Sequence, residues 1–166
     1  TIDEIIRACC EKTADVEFIA DDATRSDAAF LYEAIQTAIT AGATTITVCD
    51  ATGSILPDEF GTFSDYDAVT YTYYAGDGVL EDEFKDELYE NVPELKYVTL
   101  GISCSNNLAM ADACAIAAIK HGAREIKAAA YQINQVSLPH VSRLLAMKGN
   151  SFGVTTSVRT VEMNRI

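Results

Sequence analysis

The sequence has few cations and few prolines, and it lacks a long hydrophobic run. Its 166 residues contain 12 Lys and Arg against 25 Asp and Glu, which gives a net charge of −13. Nucleic acids and anionic membranes bind basic surfaces, so this charge argues against both as partners. No apolar run approaches the ~20 residues of a membrane-spanning helix. With three prolines and 49% hydrophobic residues, the composition predicts a folded domain rather than a disordered chain.

The cysteines form no recognisable disulfide framework or redox motif. The five are Cys9, Cys10, Cys49, Cys104 and Cys114. Their number is odd, no Cys-x-x-Cys pair occurs, and no signal sequence precedes them. This pattern predicts reduced thiols in a cytoplasmic protein.

Short apolar strands alternate with amphipathic helices along the chain. The predicted strands are 16–20, 45–49, 97–102, 125–131 and 152–158. Helices are predicted to begin near Ser26, Ala109 and Ser137, and a further helix opens the sequence. This alternation is typical of parallel βαβ units. The predicted fold is therefore α/β, with about five parallel βα units in a single domain of residues 1–166.

The segment from about 61 to 86 interrupts this alternation. It contains a stretch rich in Tyr, Thr and Val, followed by glycines, which is typical of an extended segment or a hairpin. We interpret it as an insertion. Its tyrosines could bind a flat ligand, although packing against a neighbouring helix is the favoured interpretation.

Six segments of the chain share motifs with one enzyme family. They are residues 16–27, 41–50, 56–61, 90–93, 106–123 and 153–158. They resemble the isopropylmalate synthase and homocitrate synthase family, which belongs to the DRE-TIM metallolyases together with citramalate synthase and HMG-CoA lyase. The resemblance implies an eight-stranded TIM barrel. This chain would supply a partial barrel that corresponds to strands 4 to 8.

The resemblance also implies a site at the carboxyl ends of the strands. Family members bind a divalent metal, a 2-oxo acid and acetyl-CoA there, and the metal polarises the keto group that an enolate attacks. Such an enzyme would be a cytoplasmic transferase of carboxylic-acid metabolism or amino-acid biosynthesis. The positions of this chain that correspond to substrate-binding residues are Asp21, Arg25, Asp50, Ala51, Ser103, Ser105 and Asn106.

The sequence departs from the family where that chemistry resides. Ser103 and Ser105 stand in place of two metal-binding histidines, and Ala51 stands in place of a substrate-binding threonine. Asp21 replaces a longer strand-end glutamate. A ligand loop with the pattern Gly-Glu-Arg-Ala-Gly-Asn is absent from 131–137, and the Arg-Asp-Gly motif belongs to barrel units outside this sequence. Serine hydroxyls are weak, neutral ligands for a divalent cation, so we expect no cofactor.

Two functions remain open from the sequence. The leading hypothesis is a catalytically degenerate or repurposed barrel domain that binds a small carboxylate or a protein partner. The rival is an acyl-CoA-dependent condensing enzyme, or a lyase of the HMG-CoA lyase type, whose rebuilt site is completed by N-terminal units. Mg²⁺, Mn²⁺ or Zn²⁺ would be bound only if Asp21, Asp50 and Asn106 offered oxygen ligands. We expect instead that Arg25 neutralises one of the two carboxylates.

Strand alternation and sheet edges give three further expectations. Ser103 and Ser105 should point to one side of their strand and Cys104 to the other, which predicts a structural thiol at 104. His121 is interpreted as a helix-end residue and His140 as a surface residue. Open edges of a parallel sheet predict a homo-oligomer, or else the rest of a longer barrel chain. The start of the sequence, with a helix and no methionine, favours a piece of a longer protein.

Overall fold

Helices and short strands alternate through the computed structural model, which describes residues 1–63, 73–75, 78–80, 87–131, 133–159 and 161. The helices are α1 Ile2–Cys10, α2 Ala28–Ala41, α3 Pro57–Phe63, α4 Glu87–Asn91, α5 Ala111–Lys120 and α6 Leu138–Lys148. The strands are β1 Glu17–Ala20, β2 Thr45–Asp50, β3 Tyr73–Ala75, β4 Gly78–Leu80, β5 Thr99–Cys104, β6 Glu125–Ile126, β7 Ala128–Ala129 and β8 Val136–Ser137. Short 3₁₀ helices cover Ala23–Arg25, Pro93–Tyr97 and Gly149–Phe152.

The main sheet is parallel and has the order β1-β2-β5-β6 within the described residues. β2 and β5 are its centre and pair over six residues, from Thr45 opposite Thr99 to Asp50 opposite Cys104. β1 joins the other edge of β2, and β6 pairs with β5 beginning at Gly101 opposite Glu125. Helices lie between successive strands of this sheet, which confirms the predicted α/β class.

One face of the sheet carries the hydrophobic core. Ile46 and Val48 on β2 and Leu100 and Ile102 on β5 are at most 1% exposed, and they belong to one cluster with the buried faces of α2 and α5. Burying each such side chain contributes about 1.5–3 kcal/mol relative to an exposed position. Among the described residues, no helix combines the length and the hydrophobicity that crossing a bilayer requires. The cytoplasmic location stays a prediction.

The helix boundaries follow local capping signals. The carboxylate of Asp27 accepts a hydrogen bond from the backbone of Phe30, and α2 ends at Gly42 with φ +117. Ser137 caps α6 in the same way, and α6 covers the region in which a helix was predicted to begin near Ser137. Helix α5 begins two residues later than expected, because Ala109 has a left-handed φ of +57.

Two strand predictions at the carboxyl-terminal end are corrected. The strand predicted over 152–158 is wrong, because Gly149–Phe152 is a 3₁₀ helix and 154–159 has no regular secondary structure. Gly153 turns the chain at φ +68, and the backbone of Val154 then donates to the carbonyl of Gly149. The strand predicted over 125–131 is divided into β6, which pairs with β5, and β7, which pairs with β8. The β-branched residues of 154–158 favour an extended backbone, but such a segment forms a strand only where a neighbouring strand can pair with it.

β3 and β4 lie within the segment that was interpreted as an insertion. They pair in the antiparallel sense, with Tyr73 opposite Leu80, as expected for a hairpin. Residues 64–72, 76–77 and 81–86 lie outside the described residues, and so does any contact of their tyrosines with a ligand or a helix. The insertion and the single-domain boundary stay predictions.

Candidate binding site at the carboxyl ends of the strands

The predicted site residues follow three adjacent parallel strands. Asp21 comes directly after β1, Asp50 ends β2, and Ser105 follows β5. The register places Cys49 opposite Ser103, so these strand ends lie at the same edge of the sheet. The backbone of Ser105 donates a 2.9 Å hydrogen bond to the carbonyl of Asp50, which joins the two loops.

Asp50 is 2% exposed and holds the loop that follows β2. Its Oδ1 accepts hydrogen bonds from the Thr52 hydroxyl and the Gly53 backbone, both at 3.0 Å. Two longer contacts of 3.4 Å come from the Thr24 hydroxyl and the Ile55 backbone. Because loop and hydroxyl donors occupy both carboxylate oxygens, Asp50 acts as a structural anchor in this chain.

Gly53 lets the β2 loop contact the β5 loop closely. Its φ is +61, and a Cβ at this position would lie 2.4 Å from the Ser105 carbonyl oxygen and 2.8 Å from the Asn107 nitrogen. Any larger residue would therefore push the two loops apart.

The two serines have different surroundings. Ser103 is half-buried and its hydroxyl interacts with the Cys49 thiol on the neighbouring strand. Burial raises the pKa of Cys49, and the Ser103 hydroxyl opposes this only in part. The hydroxyl of Ser105 is half-buried and has no hydrogen-bond partner in the part of the chain that the structure describes. It is one of the donors at this edge that remain available among the described residues.

Cys104 lies on the opposite side of β5, within the core. It is 1% exposed, and burial strongly raises the pKa of its thiol. The neighbouring Cys114 is also buried, and burial raises its pKa to about 11. The prediction of a structural thiol at 104 is confirmed, since neither group is a thiolate near neutral pH.

Arg25 does not neutralise Asp21 or Asp50, and that prediction is wrong. Its Nε lies 2.9 Å from Oδ1 of Asp22, and its Nη2 lies 2.5 Å from Oδ2 of the same carboxylate. Asp22 has φ +55 and precedes a 3₁₀ turn, which brings the two side chains together three residues apart. The Asp21 carboxylate is exposed and accepts a hydrogen bond from the backbone of Asp22.

An asparagine bridge that the sequence analysis missed connects three loops. Oδ1 of Asn134 accepts from the Asn106 backbone at 2.9 Å, and Nδ2 of Asn134 donates to Asn107 at 2.8 Å. Nδ2 of Asn107 in turn donates to the Thr52 carbonyl at 2.5 Å. Oδ1 of Asn106 itself accepts a 3.0 Å hydrogen bond from the backbone of Ala111, the first residue of α5. The only sequence signal was that Asn134 lies between the predicted strand 125–131 and the helix predicted to begin near Ser137.

The two histidines lie at the end of α5 and in the first turn of α6. His121 is the residue that ends α5, as expected. His140 is exposed, also as expected, but its Nδ1 lies 2.9 Å from Oδ2 of Asp112 on α5. No local sequence pattern indicates this contact, because the two residues are 28 positions apart.

These residues do not fit a divalent metal. No group of three His, Cys, Asp or Glu side chains converges within the described ranges. The neutral hydroxyls of Ser103 and Ser105 stand where the family resemblance implies imidazoles, and the Asp50 oxygens already accept hydrogen bonds from the Thr52 hydroxyl and the Gly53 backbone.

The face of the sheet opposite the core carries a charged network, which the sequence analysis also missed. The Thr47 hydroxyl donates to Oε1 of Glu17 at 2.5 Å, and Nζ of Lys127 lies 2.6 Å from the same oxygen. Lys127 also pairs with Glu125. Burial opposes both charges, yet these bonds leave the pKa of Glu17 lowered and that of Lys127 raised. The network crosses Gly101, where a Cβ would lie 2.4 Å from Oγ1 of Thr47.

Comparison with known proteins defines the ancestry of this fold. The sequence pattern of the HMGL-like family matches residues 1–65. The 2-isopropylmalate synthase of Aquifex aeolicus is 34% identical over 156 residues, which cover 91% of this chain and 26% of that enzyme. The chain belongs to the HMGL-like family. The 2-isopropylmalate synthase of Pyrococcus furiosus is 31% identical over 166 residues, 98% of this chain and 29% of that enzyme.

Solved structures agree with this HMGL-like fold. The carboxyl transferase domain of Rhizobium etli pyruvate carboxylase with pyruvate and biocytin superposes with a TM-score of 0.61 at 16% identity, over 98% of this chain and 24% of that one. A second solved structure of that carboxyl transferase domain superposes with a TM-score of 0.59 at 16% identity, over 98% of this chain and 25% of that one. This likeness concerns the fold alone. The HMGL-like chain spans about a quarter of the length of its curated relatives, so it forms part of a TIM barrel, as predicted.

Proposed function

We propose that this HMGL-like barrel domain binds a small carboxylate at its strand ends through neutral hydroxyl and amide groups, without metal-assisted condensation. One observation carries the proposal. The strand ends that would hold the family's metal contain the hydroxyl of Ser105, which lies two residues before Asn107 in the sequence, and the hydrogen-bonded amides of Asn107 and Asn134.

Hydrogen-bond capacity supports this ligand class. Each asparagine amide has two N–H donors, and the bridge uses one from Asn107 and one from Asn134. The remaining N–H of each amide and the Ser105 hydroxyl are available to the two oxygens of a carboxylate. Because all three groups are uncharged, they would bind the carboxylate by hydrogen bonds alone, without a metal ion or a cationic side chain of this chain. The exposed carboxylate of Asp21 at the same edge could accept from a hydroxyl of the ligand.

Calorimetric titration of the full-length protein with 2-isopropylmalate and with pyruvate, in EDTA, tests the proposal. Asn134→Ala removes one donor and breaks the bridge, so we expect the dissociation constant to rise about tenfold, since a hydrogen bond is worth about 1–1.5 kcal/mol. Ser105→Ala should raise it by a similar factor. Asn150→Ala, an exposed asparagine on the last 3₁₀ helix, is the matched control. Equal affinities for all four proteins would overturn the proposed site.

A second candidate function rests on the relatives themselves. The curated relatives reported above are 2-isopropylmalate synthases, which favours a condensing enzyme whose site is completed by other barrel units. Release of free CoA from acetyl-CoA by the full-length protein, with a 2-oxo acid and Mn²⁺, would support this alternative. A rate equal to the protein-free blank would favour the binding domain.

A further inference from the structure

The loop at residues 130–135 carries Asn134, and few buried contacts hold it in place. Its base is closed by the parallel pairing of β7 with β8, where Ala129 lies opposite Ser137. Val136 is fully buried, but the described residues of the loop are all exposed and none belongs to the hydrophobic core. Segments with little buried apolar surface open at a low cost in free energy. The position of this loop therefore depends on its hydrogen bonds.

Asp112, in the first turn of α5, holds the chain just after this loop. Its Oδ1 accepts a 2.7 Å hydrogen bond from the backbone of Ser137, and its Oδ2 lies 2.9 Å from Nδ1 of His140. Ser137 is the N-cap of α6, and His140 lies in its first turn. One carboxylate therefore joins the beginning of α5 to the beginning of α6.

The same end of α5 is also connected to the candidate site. Ala111 precedes Asp112 and donates its backbone N–H to Oδ1 of Asn106 at 3.0 Å. Asn106 in turn donates its own backbone N–H to Oδ1 of Asn134 at 2.9 Å. The loop is thus held at Asn134 and again at Ser137, three residues later. Releasing Ser137 from Asp112 would leave Asn134 as the remaining attachment.

We propose that Asp112 is a positioning residue of the candidate site. By holding Ser137 and His140, it keeps Asn134 bound to the loop after β5, so that the amide presents its remaining N–H to a ligand. Asp112 acts through Asn134 and does not itself touch the ligand. Its effect on ligand affinity rests on the carboxylate site proposed above, whereas its effect on the loop does not.

The two contacts of Asp112 should contribute unequally. The bond from the Ser137 backbone is partly buried and has a charged acceptor, which belongs to the stronger class of hydrogen bonds. The contact with His140 is weaker, because the His140 side chain is 66% exposed and exposed pairs contribute little. Release of Ser137 is therefore the main consequence of removing the carboxylate.

Hydrogen exchange of the Asn106 backbone amide in the full-length protein measures this positioning, because that N–H is bound to Asn134. Asp112→Ala should raise the exchange rate about tenfold, and His140→Ala should raise it less than about threefold. Asp112→Asn should restore the parent rate within about a factor of two, because the amide oxygen still accepts from Ser137. The matched control is Asp3→Ala, which removes an exposed carboxylate from the first turn of α1 and should leave the rate unchanged.

A double substitution tests whether Asp112 acts through Asn134. Asn134→Ala removes the acceptor of the Asn106 N–H and should itself raise the exchange rate. Adding Asp112→Ala should then change that rate by less than about a factor of two, because both substitutions break the same attachment. In EDTA, the dissociation constant of 2-isopropylmalate should rise about fivefold in Asp112→Ala and stay at the parent value in Asp112→Asn.

Three results would contradict the proposal. They are a parent exchange rate at Asn106 in Asp112→Ala, rates that multiply in the double variant, and a loosened loop that binds 2-isopropylmalate as tightly as the parent. A parent that binds no carboxylate would instead refute the proposed ligand class, and the exchange rates would still decide whether Asp112 positions Asn134. Circular dichroism checks folding. If Asp112→Ala does not fold, Asp112→Ser replaces it, because a single, shorter hydroxyl cannot reach both partners.

Discussion

Substituting Gly101 by alanine should reveal how tightly the charged network covers the sheet. The new Cβ would lie 2.4 Å from Oγ1 of Thr47, about 1 Å closer than ordinary contact. Thr47 is fully buried and its hydroxyl is bound to Glu17 at 2.5 Å, so it cannot rotate away without losing that bond. Overpacking costs about 1–3 kcal/mol, and the lost hydrogen bond adds about 1 kcal/mol.

Alanine also has an advantage over glycine within a strand, because its unfolded chain has less freedom. That advantage is about 0.5–1 kcal/mol, so the net expected loss for Gly101→Ala is about 2 kcal/mol in the free energy of unfolding. Urea denaturation of the full-length protein, followed by far-ultraviolet circular dichroism, measures this loss.

A double-mutant cycle with Thr47→Ala identifies the cause. Without Oγ1, the nearest atoms to the new Cβ are the Cβ atoms of residues 47 and 125, at 3.4 and 3.5 Å. In that background Gly101→Ala should cost less than about 0.5 kcal/mol. An equal loss in both backgrounds would refute the steric argument and imply that the two strands are not in this register.

Two further predictions concern groups at the sheet. Asp50→Ala should lower the free energy of unfolding by about 3 kcal/mol, because it leaves buried hydroxyl and backbone donors without an acceptor. As a control, Asp3→Ala removes an exposed ion pair with Arg7 and should lower it by less than about 1 kcal/mol. Similar losses for the two variants in urea denaturation would contradict the anchoring role of Asp50. Glu17 has a lowered pKa, so its stabilising contribution is present above its ordinary value of 4.5 and is lost as the pH falls through the lowered pKa. Lys127 has a raised pKa, so its contribution is present below 10.5 and is lost as the pH rises through the raised value. The stability difference between the parent and Glu17→Gln should therefore be constant from about pH 5 to 9 and shrink below about pH 4; a difference independent of pH down to about pH 2 would contradict the pairing.

Local sequence signals were sufficient to predict where the helices lie. Asp27, Gly42 and Ser137 act on residues within four positions of themselves, and the helices they bound match the prediction. The strands predicted at 45–49 and 97–102 correspond to β2 and β5, although β5 begins two residues later than predicted because Pro93–Tyr97 is a 3₁₀ helix. Their buried apolar residues alternate toward one face.

The failures have a common physical origin in contacts between distant residues. The strand predicted over 152–158 had suitable side chains but no adjacent strand in the described chain to pair with. Arg25 was assigned to the wrong carboxylate because its pairing with Asp22 depends on the left-handed φ of Asp22. A glycine at this position would have indicated that backbone conformation, and an aspartate does not. Lys127 and Glu17 are 110 positions apart in the sequence, so their pairing becomes visible only when the register of four strands is known.

Calorimetric titration of the full-length protein with 2-isopropylmalate, once in EDTA and once in 1 mM Mn²⁺, tests the central claim most directly. If neutral hydroxyl and amide groups bind the carboxylate, the two dissociation constants should agree within about a factor of two, a difference of about 0.4 kcal/mol. Binding that occurs only with Mn²⁺ would contradict the account, because it would require a metal site that Ser103, Ser105 and Asn134 do not provide.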